Sequence, residues 1–359
     1  MTRTLEAHLP TTGIGSLPLE DAEEAASFVL DAGLTIPFWP QLPKRYFLEQ
    51  MIPQYSEGMP CVLPVPGQAR VVLEPEAQCQ HLEKFYQEYL SEDPSVFAMS
   101  EEAAAGLHAF ERAAEGRTWP IVKGQVTGPL TFCTGIADAD KRPLYGNEEL
   151  RDAAAKLLAR KAEWQIARLA PLASERVMIF IDEPVLAAYG SSAYLGICGG
   201  DVHELIGEVL EAIAGAGAVS GIHVCGNSDW GVVLRTGVQV LNFDAYQYGT
   251  RIALYPEDVQ GLFDRGGRIA WGIVPTTKAV GKETSDSLAR RFDGCLDALS
   301  EKGFSRDLLY ERALLTPSCG TGSLTVKEAQ QVFALLRELR QRLTGGRAPR
   351  SRAKAETHE

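Results

Sequence analysis

The sequence contains no apolar run approaching the ~18 residues that cross a bilayer. Its first residues, Met1-Thr2-Arg3-Thr4-Leu5-Glu6, have no apolar signal core. The protein is expected to be soluble and cytoplasmic. Positive charge is in deficit: 35 Lys and Arg stand against 47 Asp and Glu, giving a formal net charge of −12 and a pI near 5.1. Nucleic acid and anionic membranes would be repelled, so no nucleic-acid or membrane partner is expected and a small-molecule substrate is. Histidine is scarce, with six residues. The seven cysteines, at 61, 79, 133, 198, 225, 295 and 319, are odd in number and widely spaced. A secreted disulfide framework is thereby disfavoured, which leaves metal ligation or plain burial for the thiols.

What the chain does have is an alternation of short apolar runs with amphipathic stretches, the pattern of repeated βα units around a parallel sheet. Eight runs qualify as strands: Thr12 to Ser16, Pro60 to Val65, Trp119 to Gly124, Val177 to Asp182, Ser220 to Cys225, Gln239 to Asp244, Arg268 to Val274 and Ala313 to Ser318. Helices are expected from Glu20 to Leu30, from about Asn147 to Leu172 and from Asp201 to Ala214. A closing helix should start after Leu324, where Thr325-Val326-Lys327-Glu328 fits a capping box.

The expected fold class is α/β, a (β/α)8 TIM barrel forming one domain over residues 1–344, with its active site at the C-terminal strand ends. A helical insertion, about residues 67–118, is expected between the second and third strands. The Pro-rich aromatic segment from Pro37 to Arg45 reads either as a substrate lid or as a loop on the barrel bottom. Residues 345–359 lack an apolar face and read as a disordered basic tail.

The chemistry gathers at Gly221-Ile222-His223-Val224-Cys225-Gly226-Asn227. Side chains two apart on a strand share a face, so His223 and Cys225 can reach one point, and His with Cys is a zinc-favouring pair. On its own such a pair is as readily a core histidine beside a buried thiol. If Asp244 ends the sixth strand and Cys319 the eighth, four metal-competent side chains converge on one rim. Cys319 alone would read as a small buried hydrophobe, and Asp244 equally as a helix cap or an arginine partner. Cys61, Cys79, Cys133, Cys198 and Cys295 lack such convergence and read as structural.

Ile14-Gly15-Ser16-Leu17-Pro18, Lys123-Gly124-Gln125-Val126-Thr127-Gly128-Pro129-Leu130-Thr131, Ile181-Asp182-Glu183-Pro184, His223-Val224-Cys225 and Pro317-Ser318-Cys319-Gly320 occur in an informative order. From about residue 11 to 340 the chain resembles the catalytic barrel of cobalamin-independent methionine synthase. His223-Val224-Cys225-Gly226-Asn227 also resembles the zinc motif of the methylcobamide:coenzyme M methyltransferases, which share a barrel superfamily with uroporphyrinogen decarboxylase. The resemblance implies zinc as cofactor, held by His223, Cys225 and Cys319, with Asp244 where the synthases use a Glu. It implies Ile14 and Ser16 as holders of the homocysteine carboxylate, Asp182 as holder of its amino group and Thr127 beside the pocket.

The implied activity is S-methyl transfer from a methylcorrinoid, often on a carrier protein, or from a methylated folate, to a zinc-activated thiol such as homocysteine or coenzyme M. Such activation is needed because a free thiol with pKa ~8.5 is only a few per cent thiolate at pH 7. Two competing readings are a uroporphyrinogen-decarboxylase-like lyase, which would want a basic mouth, and a non-catalytic zinc or corrinoid-binding protein. The chain also departs from the synthases. Trp271-Gly272-Ile273-Val274-Pro275 lacks their strand-seven His, and Val65-Pro66-Gly67-Gln68 stands where they carry a Gly-Glu that helps hold the amino group. These 359 residues hold no counterpart of the amino-terminal duplicate barrel. The departures tilt the expected donor toward the corrinoid.

Overall fold

The computed structural model describes residues 9–65, 71–74, 78–91, 93–191 and 196–345. Among them, six parallel strands lie side by side in chain order: β3 (Trp119–Thr127), β4 (Ala173–Asp182), β5 (Val219–Val224), β6 (Val240–Phe243), β7 (Arg268–Val274) and β8 (Ala313–Pro317). Two further strands, β1 (Val62–Pro64) and β2 (Val71–Leu73), pair antiparallel with each other and stand apart from this sheet.

The sheet closes through two irregular staves. In the first, residues 11–16, Thr12 N donates to Leu315 O at 3.3 Å and Leu315 N to Pro10 O at 2.8 Å, which fixes it to β8. In the second, residues 36–41, Lys123 N donates to Pro37 O at 2.8 Å and Trp39 N to Lys123 O at 3.3 Å, which fixes it to β3. The staves join each other through Ile36 N to Thr11 O, at 3.0 Å, and Gln41 N to Gly15 O, at 3.0 Å. Eight staves in sequence order make the expected α/β barrel.

One strand assignment is corrected. The run from Pro60 to Val65 is not a barrel stave; its residues 62–64 form the outlying hairpin strand β1. The second stave is instead the Pro-rich segment read from sequence as a lid or bottom loop. Pro37 and Pro40 have no N–H to donate, so the ladder breaks into isolated bridges, Phe38 to Lys123 and Ser16 to Gln41. Without a regular ladder or clean alternation, the segment does not look like a strand in the sequence. The Gly67-Gln68 pair of the supposed second strand end lies outside the described residues.

Between the second stave and β3 the chain makes a long excursion containing the β1–β2 hairpin, α2 (Gln78–Tyr89) and α3 (Ala105–Ala113). The other helices include α1 (Ala22–Asp31), α4 (Pro129–Gly135), α5 (Glu148–Leu169), α6 (Gly199–Gly215), α7 (Trp230–Arg235), α8 (Ala245–Tyr248), α9 (Pro256–Asp264), α10 (Ser285–Ser300), α11 (Arg306–Glu311) and α12 (Val326–Gly345). Local signals set several of their starts. Asn147 Oδ1 accepts from Leu150 N at 3.1 Å ahead of α5, and Thr325 and Glu328 exchange backbone and side-chain bonds ahead of α12. Gly345 closes α12, and the rest of the sequence-expected basic tail lies outside the described residues.

Inside the barrel, period-two alternation builds layers. Ile36, Ile121, Met178, Phe180, Val219, Val240, Ala270 and Leu314 form a buried apolar floor. Two or four residues further along the same strands, the inward positions are buried polar groups: Lys123, Gln125, Asp182, His223, Asn242 and Thr316. The polar layer is thus lifted to the C-terminal rim by strand parity.

The second stave is also gripped from outside. A Cβ on Gly106 of α3 would lie 1.8 Å from Pro40 O, whereas one on Gly207 of α6 would meet nothing within 4 Å. Gly106→Ala is therefore expected to destabilise the fold by about 1–3 kcal/mol through overpacking. Gly207→Ala should instead stabilise it by about 0.5–1 kcal/mol through helix propensity. Urea unfolding of both variants checks the pair; equal responses would show that α3 does not press on the stave.

Candidate functional site

His223 ends β5 pointing inward, 2% exposed, and its surroundings fix its proton. The Ala270 carbonyl can only accept, so the Asn242 atom 2.7 Å from it is the amide nitrogen, which also lies 2.7 Å from Thr316 Oγ1. Asn242 Oδ1 therefore faces His223 Nδ1, at 2.5 Å, and accepts its hydrogen. This leaves Nε2, buried and without a hydrogen-bond partner, as the lone-pair atom of the neutral ring.

The structure brings Cys225 and Cys319 to that atom: the ligand atoms of His223, Cys225 and Cys319 all lie within 4.8 Å of one another. Cys225 is exposed toward the rim and Cys319 half-buried. A hydrogen bond from the Cys319 thiol pulls the Cys225 pKa down to about 4, with His223 assisting. The same bond, with burial, holds Cys319 far above the ordinary thiol range. One nitrogen lone pair and two sulfurs, one of them readily ionised, suit a thiophilic divalent metal.

Asp244 is not brought into this group. It caps α8, accepting from Gln247 N at 3.0 Å through Oδ1 and from Gln247 Nε2 at 2.6 Å through Oδ2. Of the roles open to it in the sequence, metal ligand, helix cap and arginine partner, the structure shows the cap.

These side chains border a cavity of about 160 Å³ lined by Ile14, Ser16, Gln41, Pro43, Glu49, Gln50, Met51, Asp182, Pro184, His223, Cys225, Cys319 and Gly320. Ile14 and Ser16 thus border the cavity beside Cys319, and their backbone N–H groups donate to no described residue. Ser16 is fastened to the turn that follows β8, accepting from Thr321 N at 2.8 Å and, through Oγ, from Gly322 N at 3.2 Å. Asp182 Oδ1 is buried without a partner; burial raises its pKa to about 6, against the pull of His223 and Lys123. Thr127 is not at the cavity: its hydroxyl donates to Met51 O at 2.6 Å and so positions the mouth.

Several residues at the site went unnoticed in the sequence. Lys123 is fully buried below the cavity, donating to Ile14 O at 2.5 Å and Gln125 Oε1 at 3.1 Å, with its ammonium 4.6 Å from the Phe180 ring centre. Burial pulls its pKa down to about 7, opposed by Asp182. Glu49 accepts from Arg45 at 2.8 Å and from Leu42 N at 3.1 Å, and burial lifts its carboxyl to about 7. Parity could have found Asn242, two residues before Asp244 on the same face. Gln41 and Glu49 had no signal once the second stave was misplaced.

A larger groove, about 740 Å³, lies at the N-terminal ends of β3 and β4. Its Arg168 is paired with Glu111 and its Arg112 with Glu23 and Glu101, which gives it no comparable chemistry.

No family model and no curated protein sequence matches the chain. Solved structures do share its fold. A methyltransferase from Methanosarcina mazei matches with a TM-score of 0.57 at 14% identity, over 94% of this chain and 96% of that one. A B12-independent methionine synthase from Shewanella sp. W3-18-1, in complex with selenomethionine, gives 0.55 at 12% identity, over 95% and 99%. A putative vitamin-B12 independent methionine synthase from Listeria monocytogenes gives 0.55 at 14%, over 90% and 86%.

Asn242→Leu, similar in volume, would orphan His223 Nδ1 and remove the side-chain donor to the Ala270 carbonyl. A loss of about 1–3 kcal/mol is expected, the cost of one buried polar group left unpaired. Urea denaturation reads it, and a change below ~0.5 kcal/mol, the size of an ordinary surface substitution, would mean that the amide does not hold the ring.

Proposed function

We propose that this protein is a zinc-dependent S-methyltransferase that places a methyl group on the sulfur of a small amino thiol such as homocysteine. The observation that carries the reading is the group His223, Cys225 and Cys319, with the unpartnered Nε2, opening on an acidic cavity. Three protein ligands leave a position free, as catalytic zinc sites do and closed structural sites do not. Zinc bound there supplies the Lewis acidity that keeps an acceptor thiol deprotonated at neutral pH. The fold likeness to a methyltransferase and to B12-independent methionine synthases supports the same reading.

The chain's own residues then select and hold the acceptor. Among the described residues no Lys or Arg lines the cavity, while Asp182 and Glu49 do. A sulfonate thiol such as coenzyme M, or the polycarboxylate of a uroporphyrinogen-decarboxylase-like lyase, would meet no cation there. An ammonium group would meet two carboxylates. The acceptor's carboxylate is left to the free N–H groups of Ile14 and Ser16. Glu49, which follows the true second stave, supplies the acidic group that seemed to be missing after the second strand.

At about 160 Å³ the cavity is below the ~300 Å³ of sites that enclose drug-sized ligands. It takes the acceptor alone, and the donor, a methylcorrinoid or a methylated folate, presents its methyl at the mouth beside the exposed Cys225. The thiol proton leaves, a sulfur lone pair forms the S–CH3 bond, and the broken donor bond leaves its electron pair on the donor.

Zinc X-ray absorption tests the reading. About one zinc per chain with mixed sulfur and nitrogen ligands should gain a sulfur near ~2.3 Å when homocysteine is added. A metal shell unmoved by thiol would make the site structural, and failure to bind zinc at all would remove the proposal. In the same preparations, Cys225→Ala and Cys319→Ala should abolish methyl transfer while circular dichroism stays that of the folded barrel; wild-type rates in either variant would exclude that cysteine from the chemistry.

A further inference from the structure

The geometry points to Gln41 as a residue that reads the ammonium group of the acceptor, a role we infer on the basis of the thiol-methyltransferase reading above. The inference starts from a carbonyl remote from the cavity. Ala103 O can only accept, and Gln54, fully buried, approaches it at 2.7 Å, so the Gln54 atom there is the amide nitrogen. Gln54 Oε1 therefore faces the other way, and Gln41 lies 2.7 Å from it. Only the Gln41 amide nitrogen can make that contact. Its second hydrogen points to Tyr55 Oη at 3.3 Å, and that hydroxyl spends its own proton on Gln125 O at 2.7 Å.

Both N–H bonds of Gln41 are thus committed away from the cavity, and the orientation of the amide is decided by the chain, not by the ligand. Gln41 lines the cavity, and its Oε1 accepts from no described residue. That oxygen lies against the first stave, 2.4 Å from where a Cβ on Gly15 would be, so only glycine leaves room for it. Gln41 Oε1, the unpartnered Asp182 Oδ1 and the Glu49 carboxylate are three acceptors on one small cavity that has, among the described residues, no cationic side chain in its wall. An ammonium has three hydrogens to donate and no lone pair. A neutral acceptor in that set adds selectivity without adding a third negative charge that would have to be buried. The ligand class is a primary ammonium on the acceptor thiol, and Gln41 is a specificity-determining residue.

Calorimetric titration of the zinc-loaded full-length protein with homocysteine and with 4-sulfanylbutanoate, the same thiol acid without its amino group, separates the possibilities. Gln41→Met, which keeps length and removes the acceptor, should weaken homocysteine binding by roughly 10- to 100-fold, the size of one lost hydrogen bond to a charged group. It should leave 4-sulfanylbutanoate within about twofold. Gln54→Met, which does not touch the cavity, releases the Gln41 amide to turn its NH2 toward the ammonium and should move the two thiols the same way. If Gln41→Met weakens both thiols alike, or neither, Gln41 is only part of the wall and the inference fails while the thiol-binding reading stands. Wild-type protein that binds neither thiol would overturn that reading, and the role of Gln41 with it.

Discussion

The two open edges of the parallel sheet meet only through residues 11–16 and 36–41, and the rim exists because they meet. His223, Cys225 and Cys319 come from β5 and the exit of β8; Ile14 and Ser16 come from the first stave, and Gln41 and Glu49 from the second stave and the turn beyond it. With the staves detached, the metal-competent group would sit on an open sheet with no opposite wall. Closure costs ladder regularity, since two of the six residues of the second stave are prolines without donors. The lost ladder is replaced from outside by α3 against Pro40 and from inside by side chains: Gln125 Nε2 donates to Trp39 O at 3.1 Å, and Lys123 Nζ holds Ile14 O.

A single device sets polarity on both sides of the cavity. A backbone carbonyl can only accept, so it orients a buried amide, and the amide orients the group that chemistry needs. Ala270 O fixes Asn242, which fixes the His223 tautomer; Ala103 O fixes Gln54, which fixes Gln41. Both chains are buried, where an amide turned the wrong way would set donor against donor, so neither depends on solvent or on a ligand for its direction. The site is in this sense oriented before anything binds.

How much of this the sequence disclosed follows from how regular each part is. The six ladder strands were legible because they are continuous β-branched and apolar runs, and His223, Cys225 and Cys319 were legible because strand parity and strand exits place them. Asp182, Ile14 and Ser16, which border the cavity, were named only through the family resemblance. The second stave was hidden because proline removes both the ladder and its composition signal. The error then spread: a glutamate was sought after residue 65 when the one that lines the cavity is Glu49. Asp244 shows a different limit. A carboxylate at a strand exit serves equally as ligand or cap, and what decides is the local pull of Gln247, which offers it two hydrogen bonds three residues on.

The charge balance ties these parts to the ligands. Asp182, Glu49 and a cysteine pair that readily gives up one proton put up to three negative charges around the cavity, and the two carboxylates among them are buried. Arg45 is spent on Glu49, and Lys123, sunk on the Phe180 face beneath the floor of the cavity, has lost part of its basicity to burial. Burying an uncompensated charge is costly, and the raised pKa values of Asp182 and Glu49 record that cost in the free protein. On the function proposed above, a divalent metal on the thiolates and an ammonium on the carboxylates would each offset part of this charge. In that reading the metal and the ammonium act on different groups, thiolates and carboxylates, and a thiol lacking the amine would leave the carboxylate charge unmatched.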